Sequence, residues 1–328
     1  MQNFRGASSA LNRRHFIAAS ALALSSPAFA LPDQPVRVIV GYPAGGGTDL
    51  QARLLAQHMA PLFGVPVLVD NRAGAGTMIA ANELARSAPD GHTLMYTPVS
   101  TIAQLPHTML AVKYEASRDF TPVAQCALGP TVLVLQKSVP ASSFAEMVAY
   151  AKQHPGKLNY ASQGIGTSAH VFGQMLARQA GIDIVHVPYK GASEAAKDFV
   201  AGRVHLQFAS SSAAEALARS GQVRLLGVVA PRRSALFPEL PTMSELGIHG
   251  MDLDTSIGLL GPARMPASVV ARIAQAARTV MAMPQVQEEF RAGGVDPQWA
   301  GPAAFTETIR RADADWVRLL AAIDYRKQ

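Results

Sequence analysis

Short apolar runs rich in β-branched residues alternate with longer stretches of helical periodicity along most of this chain, which restricts it to the α/β class. The runs are Val36 to Val40, Pro66 to Val69, Thr93 to Thr97, Thr131 to Leu135, Leu158 to Ala161, Ile184 to Val187, Val204 to Phe208, Val223 to Val229 and Ser256 to Leu260. Between them, Leu50, Leu54, Leu55, Met59 and Leu62 recur near a period of 3.6, as do Phe144, Met147, Val148 and Ala151. Ser143 with Glu146, and Thr242 with Glu245, read as capping boxes, in which the hydroxyl and the carboxylate each satisfy a free amide at a helix start. Gly181, Gly202 and Gly221 stand where helices should stop. Strictly alternating strands and helices predict mainly parallel sheets. After Ser256 to Leu260 come helices expected over 266–283 and 302–323, the latter with Phe305, Ile309, Ala312, Trp316 and Ile323 on one face. Such a tail is expected to pack back on an earlier sheet.

The first thirty residues follow a different pattern. Arg5, Arg13 and Arg14 precede the apolar run Phe16 to Leu24 and the small residues up to Ala28-Phe29-Ala30, the three parts of a cleaved export signal. The run is too short for the roughly 20 residues of a membrane span. Asn12-Arg13-Arg14 allows the twin-arginine route as well as the general secretory one. The chain carries 29 Lys and Arg against 23 Asp and Glu, and cleavage removes three arginines and no acid, so the net charge falls from +6 to +3. No basic cluster interleaved with aromatics remains, which argues against a nucleic-acid partner. Cys126 is the single cysteine, so no internal disulfide or cysteine metal cluster can form, and it reads as a buried thiol. His58, His92, His107, His154, His186, His205 and His249 lack the paired spacing of a zinc helix and read as solvated or core residues. Neither a metal nor a cofactor is expected. The 298 residues left after cleavage suggest two domains.

In open α/β sheets ligands gather where strands feed helices, against free helix amides. Three loops there are rich in glycine. Gly41-Tyr42-Pro43-Ala44-Gly45-Gly46-Gly47-Thr48-Asp49 lets the backbone approach a ligand, with Thr48 or Asp49 available as a cap, and lacks the lysine of a phosphate-binding loop. Asp70-Asn71-Arg72-Ala73-Gly74-Ala75-Gly76-Thr77 carries Ile79 where a dinucleotide fingerprint needs its third glycine. Tyr160-Ala161-Ser162-Gln163-Gly164-Ile165-Gly166-Thr167-Ser168-Ala169-His170 does fit the looser dinucleotide pattern through Gly164, Gly166 and Ala169. The acid such a site requires should close the next strand, whereas Asp183 opens it. Two glycine-rich, hydroxyl-bearing helix starts could instead hold two ends of one anion.

These segments, with Val187-Pro188-Tyr189-Lys190-Gly191 and Leu240-Pro241-Thr242, resemble in order and spacing the signatures of the Bug receptors, the solute-binding components of tripartite tricarboxylate transporters. The resemblance covers essentially the whole chain after the signal. It implies an α/β, two-lobed type II periplasmic-binding-protein fold without catalysis, with one lobe over residues 31–131 plus 254–328 and the other over 132–253. The lobes would be joined by crossing strands, for which Thr131 to Leu135 and Ser256 to Leu260 are the candidates. It further implies a periplasmic monomer that binds a small carboxylate in the cleft and meets the transporter's membrane subunits. The residues expected around the ligand are Tyr42, Pro43, Ala44, Gly46, Asp49, Thr97, Ser162, Gly164, Gly166, Thr167, His170, Tyr189 and Ala209. By this resemblance many relatives carry Asp where this chain has Ala209, and a carboxylate there would suit a ligand amine. Its absence favours a dicarboxylate or aromatic acid over an amino acid.

The residues leave individual roles open. Asp49 is either a helix cap or an organiser of the first loop, His170 either orients the third loop or packs, and Tyr189 either covers the ligand or braces the hinge. Arg72 reads as structural, bonded around the second loop. Two further functions stay on the table. The same bivalve module can serve a membrane signalling protein, and a secreted hydrolase would draw on Ser162, Ser168 and His170. The latter lacks the Gly-x-Ser-x-Gly elbow.

Overall fold

The computed structural model describes residues 34–189, 192–253 and 255–328, so the segment read above as an export signal, Lys190 and Gly191 lie outside the described residues. Eleven strands are described: β1 (Val36–Val40), β2 (Val67–Asn71), β3 (Thr93–Pro98), β4 (Phe120–Leu128), β5 (Thr131–Gln136), β6 (Leu158–Ser162), β7 (Ile184–Pro188), β8 (Leu206–Ser210), β9 (Val223–Val229), β10 (Ser256–Pro262) and β11 (Asp296–Ala300). They form two sheets, one ordered β11-β4-β10-β3-β1-β2 and the other β7-β6-β8-β5-β9.

Neither sheet is mainly parallel. Strand β1 runs parallel to β2 and β3, and β6 parallel to β7 and β8. The pairs β10–β3, β10–β4, β11–β4, β5–β8 and β5–β9 are antiparallel. The expectation fails because β5 and β10, each reached after the chain crosses between the sheets, run against the strands beside them. Strands β4, which contains Pro122 and lacks period-two patterning, and β11 were not legible as strands and extend the first sheet with antiparallel pairs. The chain leaves the first sheet at the end of β4 and enters the second at β5, so the crossing is made by Gly129-Pro130 and not along Thr131 to Leu135. It returns between β9 and β10, whose residues from Ser256 onward already pair within the first sheet.

The helix ends follow their local chemistry. Ser143 accepts from the Glu146 amide at the start of the helix Phe144–Gln153, while Glu146 accepts from the Ser142 amide at 2.7 Å. Thr242 and Glu245 form the reciprocal pair too, but over a set of turns and not a helix. Gly181, Gly202 and Gly221 all take left-handed backbone angles, as helix-ending glycines do.

The helix Pro302–Ala322 buries Phe305, Ile309, Ala312, Trp316 and Leu320, and Ile323 packs partly buried beside them. Trp316 stacks on Phe172 of the helix Ser168–Ala180, with centroids 5.5 Å apart and planes at 19°. The tail therefore packs against elements of both sheets, and truncating a buried indole of this kind costs about 3–5 kcal/mol. Beyond it, Asp324 pairs with Arg178 at 3.0 Å and the Gln328 carbonyl accepts from the Leu110 amide at 2.8 Å. Cys126 is fully buried on β4, and burial pushes its thiol up to about 12, as expected for an inert core cysteine.

Candidate functional site

The first glycine loop leads from β1 into the helix Gly47–Phe63. Asp49 is 1 % exposed and lies three residues inside the helix from Gly46. One carboxylate oxygen accepts from the Gly45 amide at 2.8 Å and from Arg53 Nε at 2.9 Å; the other accepts from Asn71 Nδ2 at 2.8 Å. Asn71 Nδ2 also donates to the Tyr42 carbonyl at 3.0 Å. Burial pushes the Asp49 pKa up, but its bonds to Arg53, Gly45 and Asn71 outweigh this and hold it below the ordinary carboxylate value. Asp49 is thus the organiser of the first loop and fastens it to the second. Pro43, Ala44 and Gly46 stay exposed, while Tyr42 packs partly buried on the apolar core, where burial raises its phenol to about 12.

The third loop rests on two histidines. His170 Nδ1 accepts from the Gly166 amide at 3.1 Å, and its ring stacks on that of His186. His186 Nε2 lies 2.7 Å from Ser162 Oγ, and Ser162 Oγ–H donates to the Gly164 carbonyl at 3.0 Å, which requires the imidazole to donate to the hydroxyl. Thr167 Oγ1 donates to the same carbonyl at 2.7 Å. Burial lowers the pKa of His170, and burial together with His170 lowers that of His186 to about 4, so both rings are neutral near pH 7. His186, assigned from sequence to solvent or core, is the main member of the site that the sequence missed. Its pairing spans 24 residues, which no local spacing reveals.

Other expected ligand residues are taken up elsewhere. Thr97 is buried with its hydroxyl 2.7 Å from that of Thr101, to which Thr77 also bonds. Tyr189 donates its hydroxyl to Asp198 at 2.9 Å and its amide to the Ser162 carbonyl at 3.0 Å, which braces its own lobe. Arg72 pairs with Asp70 at 3.0 Å, as a structural residue would. Ala209 is 1 % exposed among Val132, Val134, Ala161 and Phe199. Strand β8 runs two residues further than its apolar pattern suggested, to Ser210, so Ala209 sits within the strand and its methyl faces the lobe's interior.

The lobes meet at these helix starts. A β-carbon built on Gly47 would lie 2.6 Å from Ser212 Oγ, one on Gly76 would lie 3.3 Å from the Thr167 methyl, and one on Gly166 would lie 2.7 Å from Met109 Cγ. Loop one therefore touches the start of the helix Ser211–Arg219, and loop two touches loop three. Three helices from two lobes begin along one seam, each with amides that lack an intrahelical acceptor. Within residues 41–49, 162–170 and 209–212, Asp49 is the single carboxylate, and both its oxygens are bonded. Among the described residues no cluster could hold a metal ion. Ser162 and His186 have a nucleophile–base distance, but Ser162 is fully buried and its proton goes to Gly164. Ser168, the other hydroxyl considered for hydrolysis, bonds to Gln104 and not to His170.

Two sheets joined at short crossings, with helix starts opposed across the seam, make up the two-lobed fold of periplasmic solute-binding proteins. The solved periplasmic binding protein BugD superposes with a TM-score of 0.82 at 29% identity, over 90% of this chain and 100% of that one. An R. palustris protein, Rpa4515 with adipate, gives 0.84 at 27% identity over 90% and 99% of the two chains. MatC (Rpa3494) from Rhodopseudomonas palustris, with bound malate, gives 0.79 at 28% identity over 88% and 99%. Residues 51–324 match the family described as tripartite tricarboxylate transporter family receptor. The chain belongs to that family, whose members are solute-binding receptors and not enzymes. No helix among the described residues is long and apolar enough to cross a membrane.

Proposed function

We propose that this protein, exported by its N-terminal signal, captures a small dicarboxylate or aromatic acid between its lobes in the periplasm. It then delivers the acid to the membrane subunits of a tripartite tricarboxylate transporter. The observation that carries this reading is the seam itself. Three helix starts offer main-chain donors to an anion, and the single carboxylate within those segments is taken up by Arg53, Gly45 and Asn71. An amine would find no free acid in these segments, whereas a carboxylate would find amides and the hydroxyls of Thr48 and Ser212. The adipate and malate bound by the two R. palustris relatives support the ligand class. Tyr42, Pro43, Ala44, Gly46, Gly164, Gly166 and Thr167 then line the site, with Asp49, Ser162 and His170 holding it from behind. Occupancy favours the closed arrangement in proportion to the ligand's preference for it, and the closed surface is what the membrane partner reads.

Native mass spectrometry of gently purified protein, followed by thermal-shift titration with adipate, malate and benzoate, tests this. A ligand at 100 times its dissociation constant adds about 2.7 kcal/mol of stability. A melting temperature unmoved by any acid of the panel would overturn the assignment.

A further inference from the structure

Gln104 belongs to the first lobe, between the short helices Ser100–Ala103 and Leu105–Thr108 that follow β3, and it is fully buried. Its side-chain amide reaches the second lobe with both ends. Nε2 donates to the Gly166 carbonyl at 2.8 Å, and Oε1 accepts from Ser168 Oγ at 2.5 Å. The backbone of the same segment joins the contact, since a β-carbon on Gly166 would lie 3.4 Å from the Thr108 carbonyl. We propose that Gln104 is the closure latch of this receptor, a positioning residue that holds the lobes together by reading the shape of the Gly164–Ser168 loop. The proposal rests on the cleft being a site that opens and closes.

Its chemistry is specific. A primary amide is the one side-chain group that presents a donor and an acceptor side by side at this reach, and the loop offers the matching carbonyl and hydroxyl. The loop's shape is fixed from its own lobe by the His170 bond to the Gly166 amide and the Thr167 bond to Gly164. A loop distorted by a poorly fitting ligand would present the Gly166 carbonyl off line, and closure would lose both bonds. The latch thus converts the fit of the third loop into the lifetime of the closed form, without touching the ligand.

Closure can be measured without any ligand. A β-carbon on Gly47 would stand 3.3 Å from Ser212 Cβ, close to the separation across a disulfide, and Cys126 is too buried to compete. In the protein carrying Gly47→Cys and Ser212→Cys, the rate of disulfide formation under a fixed oxidant reports how often the lobes close. Adding Gln104→Leu should slow that rate about tenfold, and Ser168→Ala about three- to fivefold, given the ordinary strength of such bonds. In the double variant the two effects should fall clearly short of multiplying, because the residues share one bond. Gln104→Glu keeps the volume, aims a carboxylate oxygen at the Gly166 carbonyl, and should slow closure at least as much as Gln104→Leu. It also serves should Gln104→Leu fail to fold. Oxidation rates within twofold of each other across these variants would overturn the latch while leaving a closing cleft. A cysteine pair that never oxidises would overturn the closing cleft itself, and the latch with it.

Discussion

The imidazole rings of His170 and His186 stack with centroids 4.2 Å apart and planes inclined by 28°, directly behind the loop that ends in the helix Ser168–Ala180. Tyr160 lies against His186 at 4.9 Å, Tyr325 meets His170 edge-on at 6.1 Å, and Gln174 approaches His170 Nε2 at 3.2 Å. No Asp or Glu is among these neighbours, so a proton on either ring meets a second imidazole and two phenols. Because folding depresses both pKa values, the neutral pair contributes stability that is fully present above the unfolded value of about 6.5. That stability is lost as the pH falls from there through about 4, the folded value of His186. We expect the urea midpoint to drop across this window by an amount corresponding to about 1–3 kcal/mol. His186→Phe, which keeps the stacking and removes the titration, should flatten the profile. An equally steep profile in that variant would assign the acid lability to other groups.

Protonating His170 has a second consequence, since Nδ1 would become a donor facing the Gly166 amide that it now accepts from. Acid should therefore loosen the third loop before the protein unfolds. The protection of the Gly166 amide, its exchange rate taken relative to an unstructured amide at the same pH, is expected to fall as the pH drops below about 6.5 in the wild type, and that loss should vanish in His170→Asn.

Asp49 is the equivalent support for the first loop. Asp49→Ala takes one partner each from Arg53 and Asn71, which keep their bond to each other, and leaves the Gly45 amide without its acceptor. Arg53 is about half exposed, so water recovers part of the loss, and the expected cost is about 2–3 kcal/mol in equilibrium unfolding. Acid affinity should fall more than tenfold by calorimetry, because the amides of the loop would lose their fixed direction. A stable variant with wild-type affinity would return Asp49 to the role of a simple cap.

The loops themselves were readable because their requirements are local: glycines at a strand end, a hydroxyl at a helix start, an acid within the first turn. What could not be read depends on contacts far along the chain. His186 matters through Ser162, and Gln104 through Gly166 and Ser168, 62 and 64 residues away. Strands β4 and β11 escaped for a related reason. Pro122 and the Asp296-Pro297 start of β11 carry poor strand propensity, and pairing with β10 and with each other makes them strands. Ala209 was misplaced because the strand runs on to Ser210, so that its methyl packs in the lobe's core instead of standing in a loop at the cleft.

Gly173 shows how tightly the histidine pair is boxed in. A β-carbon there would lie 2.1 Å from the Tyr160 ring, whose hydroxyl donates to the His170 carbonyl at 3.2 Å. Alanine favours a helix interior over glycine by about 1 kcal/mol, but the clash must move a buried ring. Gly173→Ala should therefore destabilise by about 1–3 kcal/mol, with the pH profile of the histidine pair altered as well. A neutral or stabilising result in urea unfolding would show that Tyr160 can move freely.

Ser212 separates ligand electrostatics from folding, because an acid at this position acts on them in opposite directions. It is the second residue of the helix Ser211–Arg219, where a carboxylate favours the helix by about 0.3–1 kcal/mol through the free amides. Its hydroxyl also stands where the first loop meets the second lobe, within 2.6 Å of a β-carbon built on Gly47. A carboxylate there would face an acid held in the seam as proposed, and two such charges about 4 Å apart repel by several kcal/mol in water-poor surroundings. Ser212→Asp should keep or raise the ligand-free melting temperature. It should weaken a dicarboxylate at least tenfold, and weaken a monocarboxylate of the same length less, because the second charge is absent. Equal weakening of both acids would mean that the charge at Ser212 meets the first carboxylate and that the ligand lies in the opposite direction. Unchanged affinity for both would remove Ser212 from the site.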